Sequence, residues 1–279
     1  MLSLILAILC STLISTAMRL SEKHIKNNMA MFLSNYAICT VLSCFFMGDI
    51  SLPSNESGLG LTLIQGIFSG FLYLMSLWLM ERNMVHNGVV LTSAFSKLGV
   101  LVPTLMAILV FRESPQLMQL LGIGLALYAI GLIYFEKGAF AYGKRKLLLL
   151  STLLVSGASD SMANIFDKSG LALLKDHYLF FTFLSAFVFA FLLNLQQKGK
   201  ISRKEIGFGL LIGIPNYFSS RFLLGALATL PAVIVYPVFS AATIVAISLV
   251  GVLFFKETVS KRKQFALLLV MAALIFLNL

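Results

Sequence analysis

Residues 92–114 have the sequence TSAFSKLGVLVPTLMAILVFRES, and residues 236–258 have the sequence YPVFSAATIVAISLVGVLFFKET. The second stretch begins 144 positions after the first and aligns with it without a gap. Phe95 and Ser96 fall on Phe239 and Ser240, and Arg-Glu-Ser at the end of the first stretch falls on Lys-Glu-Thr. Each stretch is an apolar run closed by a charge pair. Repetition of this kind predicts two homologous halves.

The composition is typical of an integral membrane protein. Of the 279 residues, 59% are hydrophobic and 11% are charged, whereas soluble domains carry about 25% charged residues. A net charge of +10 would suggest nucleic acid as the partner of a soluble protein. In a membrane protein the same charge indicates basic loops on the cytoplasmic face. We therefore expect a lipid bilayer as the surroundings and no nucleic acid as a partner.

Ten apolar runs have about the length that a membrane helix needs, roughly 17–25 residues. They are residues 2–18, 29–47, 59–80, 88–111, 117–135, 147–166, 178–195, 206–227, 232–255 and 265–279. None has the alternation of a membrane β-barrel. The sequence predicts an all-α integral membrane protein with ten transmembrane helices.

The linker at residues 136–146 divides the ten runs into two sets of five. We predict a first repeat at residues 1–138 and a second at residues 139–279. Because five is odd, two homologous sets joined in series insert with opposite orientations. The prediction is an inverted 5+5 repeat around a central cavity, which is a common architecture of secondary transporters.

The linkers predict the orientation of the chain. Those after helices 1, 3, 5, 7 and 9 carry 16 Lys and Arg residues, and the opposite face carries only Arg112, Lys168 and Lys175. This bias places both termini outside.

Several small or terminal residues have expected structural roles. The pairs Gly66-x-x-x-Gly70 and Gly209-x-x-x-Gly213 have the spacing of close helix contacts, and glycines in helix 5 (Gly122, Gly124 and Gly131) predict a small packing face. Glu113 and Glu257 lie at membrane ends, where we expect them to act as caps and anchors.

Three ionisable residues lie inside the predicted spans: Lys97, Asp160 and Arg221. Each costs at least about 2.5–3.5 kcal/mol at a helix centre, so such residues generally face a cavity and mark function. Asp160 and Arg221 have similar depths and could pair, which would be a structural salt bridge or a charged clamp for a polar solute. The excess of positive charge favours a carboxylate or another anionic group on that solute.

Neutral polar residues flank these charges, and we predict that Tyr236, Asn216, Ser96 and Ser240 also contact the solute. Each of them could instead form a hydrogen bond between helices. Motifs of the HExxH, GxSxG and paired-carboxylate types are absent from the sequence, and the three histidines share no metal-ligand spacing. We therefore expect no catalytic residue, no metal site and no cofactor, and the protein is not predicted to be an enzyme.

The two halves resemble the EamA-type members of the drug/metabolite transporter superfamily. The resemblance rests on five plus five short helices, and on an apolar helix that ends in Glu and a hydroxyl residue before a Gly-containing helix, as in residues 111–124. It implies alternating-access movement of small organic solutes, often efflux, through a cavity lined by helices 1, 3, 4, 6, 8 and 9. It also implies cytoplasmic termini, which contrasts with the charge count.

The residues and the resemblance together predict a plasma-membrane secondary transporter of a small polar metabolite that is amino-acid-like or bears a carboxylate, and the resemblance implies export. The alternative is a lipid-handling or non-transporting helper subunit. Proton coupling through Asp160 is a separate hypothesis, and the choice between monomer and homodimer stays open.

Overall fold

The computed structural model describes residues 1–21, 24–47, 58–87, 95–96, 98–134, 146–197, 201–255 and 261–277. Within these ranges the chain forms α-helices and one 3-10 turn, with no β-strand. The prediction of an all-α protein is confirmed. A helix satisfies its backbone N–H and C=O groups within one segment, which apolar surroundings demand.

Ten α-helices follow one another in the described residues, in the order of the ten apolar runs. They are α1 (Leu2–Ser21), α2 (Asn28–Phe46), α3 (Leu59–Asn87), α4 (Leu101–Leu109), α5 (Leu117–Tyr134), α6 (Lys146–Ser169), α7 (Lys175–Gln197), α8 (Arg203–Leu227), α9 (Ala232–Phe255) and α10 (Lys261–Leu277). Seven of these helices, α1 to α3 and α6 to α9, are long and apolar enough to cross a membrane, judged by length and composition.

The fourth helix differs from its prediction. Residues 88–111 form one apolar run in the sequence, but the described helix covers only Leu101–Leu109 and follows a turn at Gly99 and Val100. Residues 88–94 and Lys97 lie outside the described residues. Phe95, Ser96 and Leu98 are helical, and the turn at Gly99 and Val100 separates them from α4.

A close approach between Gly99 and Gly157 of α6 explains this turn. A Cβ atom on Gly157 would lie 2.5 Å from the carbonyl oxygen of Gly99, and a Cβ atom on Gly99 would lie 3.0 Å from the amide nitrogen of Gly157. Real Cβ atoms do not approach backbone atoms so closely, so only glycine allows this contact. The backbone of the fourth segment is thereby pressed against α6.

The helices group into two compact units. The first comprises Met1–Leu74 and Ile165–Ala228, and it contains α1, α2, α7 and α8 with the start of α3 and the end of α6. Within this unit α8 packs against α1 and α2, and α2 packs against α7.

Two pairs of glycines set close helix contacts in the first unit. In α3, Cβ atoms on Gly66 and Gly70 would lie 3.2 Å and 2.8 Å from backbone nitrogens of α7. In α8, Cβ atoms on Gly209 and Gly213 would lie 3.0 Å and 2.7 Å from the backbone nitrogen and oxygen of Asn35 in α2. The predicted packing role of both pairs is confirmed.

The second unit comprises Met75–Asn164 and Thr229–Leu279. Within it α10 packs against α5 and α9, and α9 packs against α4 and α5. The small residues in this core are four buried alanines: Ala126, Ala129, Ala241 and Ala273. Gly124 has no described heavy atom within 4 Å of its Cβ position. Its predicted place on the packing face of helix 5 is wrong, because alanines two and five residues later occupy that face.

Glu113 caps the start of α9 within the second unit. Its Oε2 accepts a hydrogen bond of 2.9 Å from the amide of Val233, the second residue of α9. The preceding residue, Arg112, has φ of 54°, in the left-handed region. The first amides of a helix have no partner within the helix, and a carboxylate there also interacts favourably with the helix dipole. The predicted capping role of Glu113 is confirmed, while Glu257 lies outside the described residues.

Candidate functional site

A charged pair lies near the end of α8 in the first unit. Arg221 is six residues before Leu227, the last residue of the helix, which is about 9 Å along the axis. Its Nη1 donates hydrogen bonds to Oδ1 of Asp176 at 2.6 Å and to the hydroxyl of Tyr217 at 2.8 Å. The side chains of Arg221 and Asp176 are 29% and 31% exposed. The pair is therefore held in place and still accessible.

Aromatic rings surround this pair. The guanidinium carbon of Arg221 lies 5.3 Å from the ring centroid of Phe46, the last residue of α2. Phe46 stacks on Tyr217 with centroids 5.7 Å apart, and Phe218 meets Phe46 edge-on at 5.5 Å. A cation over an aromatic face gains about 0.5–1 kcal/mol at an exposed site. One face of the guanidinium is thus covered by an apolar ring.

Polar contacts fix α8 against its neighbours. Asn216 donates from Nδ2 to Oδ1 of Asn35 in α2 at 3.2 Å, and Ser219 donates to the carbonyl of Ala7 in α1 at 3.3 Å. These bonds orient the helix face that carries Arg221. For Asn216 the structure gives the helix–helix hydrogen bond that the sequence left as an alternative, and contact with a solute stays a prediction.

A second group of predicted residues meets on α6 in the second unit. Ser156 donates from Oγ to the carbonyl of Ser96 at 3.3 Å. One turn further along α6, the carbonyl of Asp160 accepts a hydrogen bond of 2.7 Å from the hydroxyl of Tyr236 in α9. The structure therefore brings Ser96, Asp160 and Tyr236 together along one short length of α6.

Asp160 is an exposed residue, while its neighbour Ser159 is buried. Ser240 is half-buried and lies one turn beyond Tyr236 on α9. The suggested pairing of Asp160 with Arg221 stays a prediction, because the two residues belong to different units. Lys97 lies outside the described residues, and its role also stays a prediction.

Sequence reasoning missed Asp176 and Phe46. Both lie at helix ends, Asp176 in the first turn of α7 and Phe46 in the last turn of α2. Neither residue lies well inside an apolar run, where an ionisable or polar side chain stands out in the sequence. A usable signal was the length of the Arg221 side chain, because arginine extends along the helix surface toward the membrane end.

The helices and their ionisable side chains indicate the class of the protein. In the described part of the chain, seven helices are long and apolar enough to cross a membrane, which supports a multi-pass membrane protein. Ionisable side chains within such helices generally mark a path for a solute or ion. Among the residues that the structure describes, no three His, Cys, Asp or Glu side chains are grouped to hold a metal ion.

Comparison with known proteins then narrows the class. The family model described as Small Multidrug Resistance protein matches residues 177–270, from the start of α7 into α10. An uncharacterized protein of Haemophilus influenzae is 25% identical over 289 residues, which cover 98% of this chain and 96% of the relative. One solved crystal structure shares the fold with a TM-score of 0.76 at 12% identity, over 99% of this chain and 94% of that one. The family match and the apolar helices together support a membrane transporter.

Proposed function

We propose that the protein is a secondary transporter that moves a small polar organic metabolite, amino-acid-like or carboxylate-bearing, by alternating access and in the direction of export. The observation that carries the proposal is Arg221. It is an accessible guanidinium inside a membrane-length helix, and it lies within the part of the chain that matches a transporter family. The ion pair with Asp176 offsets part of the cost of a cation in that position, and the guanidinium surface that stays exposed supports a role with an anionic group of the solute.

The contacts within each unit support an inverted repeat of residues 1–138 and 139–279. In such a repeat α3 corresponds to α8, and α7 corresponds to α2. The glycine pair of α3 packs against α7, and the glycine pair of α8 packs against α2, so exchanging the halves exchanges the two contacts. In the same repeat α5 corresponds to α10 and α4 corresponds to α9. Exchanging the halves therefore leaves the contact of α5 with α10 and the contact of α4 with α9 unchanged.

Membership of the EamA-type transporters is part of the proposal. Small multidrug exporters are grouped in the same clan as EamA-type proteins, so the family match supports this relationship. The resemblance to EamA-type proteins supports a central cavity, and the count of Lys and Arg in the linkers supports outward-facing termini; the plasma-membrane location is part of the same proposal. Labelling of a cysteine added at either terminus, in intact cells, tests the orientation.

The predicted site residues have distinct roles in this proposal. Arg221 and Lys97 attract the carboxylate of the solute, and Asp160 attracts an amino group or takes up a proton. Tyr236, Asn216, Ser96 and Ser240 place neutral hydrogen-bonding groups around it. Replacing Asp160 with Asn should make transport independent of a pH gradient if the proton-coupling hypothesis is correct.

Uptake into proteoliposomes, screened over labelled amino acids and organic acids, tests the function. Arg221→Ala and Lys97→Ala should each lower uptake about tenfold or more, because hydrogen bonds to charged groups contribute about 1.5–3 kcal/mol. Arg203→Ala is the matched control, since Arg203 is exposed at the start of the same helix. If no solute is transported, a lipid-handling or non-transporting subunit becomes the better explanation.

A further inference from the structure

Arg221 uses one of its three guanidinium nitrogens for both of its hydrogen bonds. Nη1 donates to Asp176 and to Tyr217. No residue in the described part of the chain bonds to Nε or Nη2. Along that edge a guanidinium presents two parallel N–H groups, which match the two oxygens of a carboxylate. The edge is therefore a bidentate donor that no described residue occupies.

The guanidinium is held in one orientation before any ligand arrives. Tyr217, four residues earlier on α8, is only 1% exposed, so its hydroxyl is a fixed acceptor. Asp176 holds the same nitrogen from α7, and Phe46 covers one face. Preorganisation of this kind lowers the entropy lost when a ligand binds.

We infer that the Nε–Nη2 edge of Arg221 binds the carboxylate of a small organic solute whose apolar or aromatic body lies against Phe46. The inference rests on the proposed function, because it specifies the solute chemistry and the group that receives it. Phe46 is 37% exposed, which leaves ring surface for the body of the solute. Asp176 is a positioning residue that orients the guanidinium. Because Asp176 is itself a carboxylate, its negative charge also weakens binding of the solute's carboxylate.

The surrounding charges favour a small carboxylate over an anionic lipid. A second cation, Lys175, lies near this pair, with its Nζ 3.6 Å from the Cβ position of Gly225, one turn beyond Arg221. Lys175 interacts electrostatically with Arg221 and with two carboxylates, those of Asp176 and Asp167, so acidic groups share this region with the two cations. Sites for anionic lipid headgroups generally use clusters of about 4–8 basic residues. This site offers one oriented edge.

Calorimetric titration of the whole protein in phosphatidylcholine nanodiscs tests the inference, with benzoate as the probe. Benzoate should bind, benzamide should not because it lacks the charge, and acetate should bind more weakly because it lacks the ring. Equal affinity for benzoate and benzamide would overturn the inference. So would loss of benzoate binding in phosphatidylglycerol nanodiscs, because the edge would then be a lipid site.

Two variants of the protein test the roles of single residues. Arg221→Lys keeps the charge but lacks the planar edge, so benzoate should bind about tenfold more weakly or not at all. Asp176→Asn keeps an oxygen acceptor and removes the competing charge, so benzoate should bind about two- to fivefold more tightly, as expected for an ion pair with this exposure. Arg203→Lys should bind as the wild type does. Unchanged affinity in Arg221→Lys, or weaker binding in Asp176→Asn, contradicts the assignment.

Chemical labelling of the wild-type protein needs no variant that might fail to fold. Phenylglyoxal should modify Arg221, and benzoate should protect it, as read by mass spectrometry of the α8 peptide. Modification at the same rate with and without benzoate overturns the inference. The inference and the proposed function can fail separately. Solute uptake without benzoate protection of Arg221 would support the transporter and reject this binding site. Benzoate protection without uptake of any solute would support the binding site and reject the transporter.

Discussion

Replacing Gly213 with Ala should destabilise the contact between α8 and α2. The new Cβ would meet Cγ2 of Ile38 and would lie 2.7 Å from the carbonyl oxygen of Asn35. A backbone oxygen cannot turn aside as a side chain can, so the two helices must separate. Gly207 lies on the same helix with no described heavy atom within 4 Å of its Cβ position, and Gly207→Ala is therefore the matched control.

The expected magnitude follows from two opposing effects. Overpacking at a close contact costs about 1–3 kcal/mol, while alanine gains about 0.5–1 kcal/mol over glycine in a helix. The second effect is common to both variants and cancels in their comparison. Gly213→Ala should therefore be less stable than Gly207→Ala by about 1–3 kcal/mol.

The same comparison can be made in α3, and it tests the repeat. A Cβ on Gly70 would lie 2.8 Å from the amide nitrogen of Ala186, while Gly60 has no described atom within 4 Å. An inverted repeat predicts that Gly70→Ala loses about as much relative to Gly60→Ala as Gly213→Ala loses relative to its own control.

Unfolding by sodium dodecyl sulfate in mixed micelles measures these differences. Trp78 is the single tryptophan of the chain and lies in α3, so its fluorescence reports on the transition. If Gly213→Ala unfolds at the same detergent fraction as the Gly207→Ala control, the close helix contact does not exist and the reasoning is refuted.

Three further predictions concern single hydrogen bonds. Glu113→Ala should lower the free energy of unfolding by about 1 kcal/mol, because it removes the cap of α9; an unchanged unfolding curve contradicts this. Asn83 is fully buried and donates to the carbonyl of Leu148 and the hydroxyl of Thr152, so Asn83→Ala should cost about 1–3 kcal/mol in the same assay. Tyr236→Phe removes the 2.7 Å hydrogen bond to the Asp160 carbonyl and should lower the free energy of unfolding by about 0.5–1.5 kcal/mol. It should also raise the KM of uptake. A variant with both the stability and the KM of the wild type contradicts this prediction.

Helices were predictable from the sequence because the apolar runs are long and uninterrupted. The predicted first and third runs, residues 2–18 and 59–80, begin at the same residues as α1 and α3. The glycine pairs were predictable for a similar reason, since four-residue spacing places both glycines on one helix face. Local pattern was sufficient in these cases.

Tertiary contact decided the features that the sequence did not predict. The turn at Gly99 depends on Gly157, which lies 58 positions further along the chain, and a glycine inside an apolar run gives no local sign of such a partner. The partner of Arg221 does not follow from the depth of its Cα atom in the membrane. The guanidinium lies several ångströms from its own Cα, so it reached Asp176 at a helix end.

For the candidate site residues, too, the sequence identifies residue types but not their hydrogen-bond partners. Ser96 and Tyr236 each share a hydrogen bond with α6, at Ser156 and at the carbonyl of Asp160. The sequence could not show that their contacts run through backbone carbonyls, because hydrogen-bond partners depend on how helices are rotated. Contact of these residues with a solute stays a prediction.

Counterflow in proteoliposomes tests the proposed transporter most directly. Vesicles are loaded with an unlabelled mixture of amino acids and organic acids, and each labelled compound is then supplied outside at low concentration. An alternating-access carrier returns labelled solute inward against its own gradient, so we predict transient accumulation of at least one carboxylate in the wild type and none in Arg221→Gln. Absence of accumulation for every compound, or equal accumulation in Arg221→Gln, would contradict the proposal.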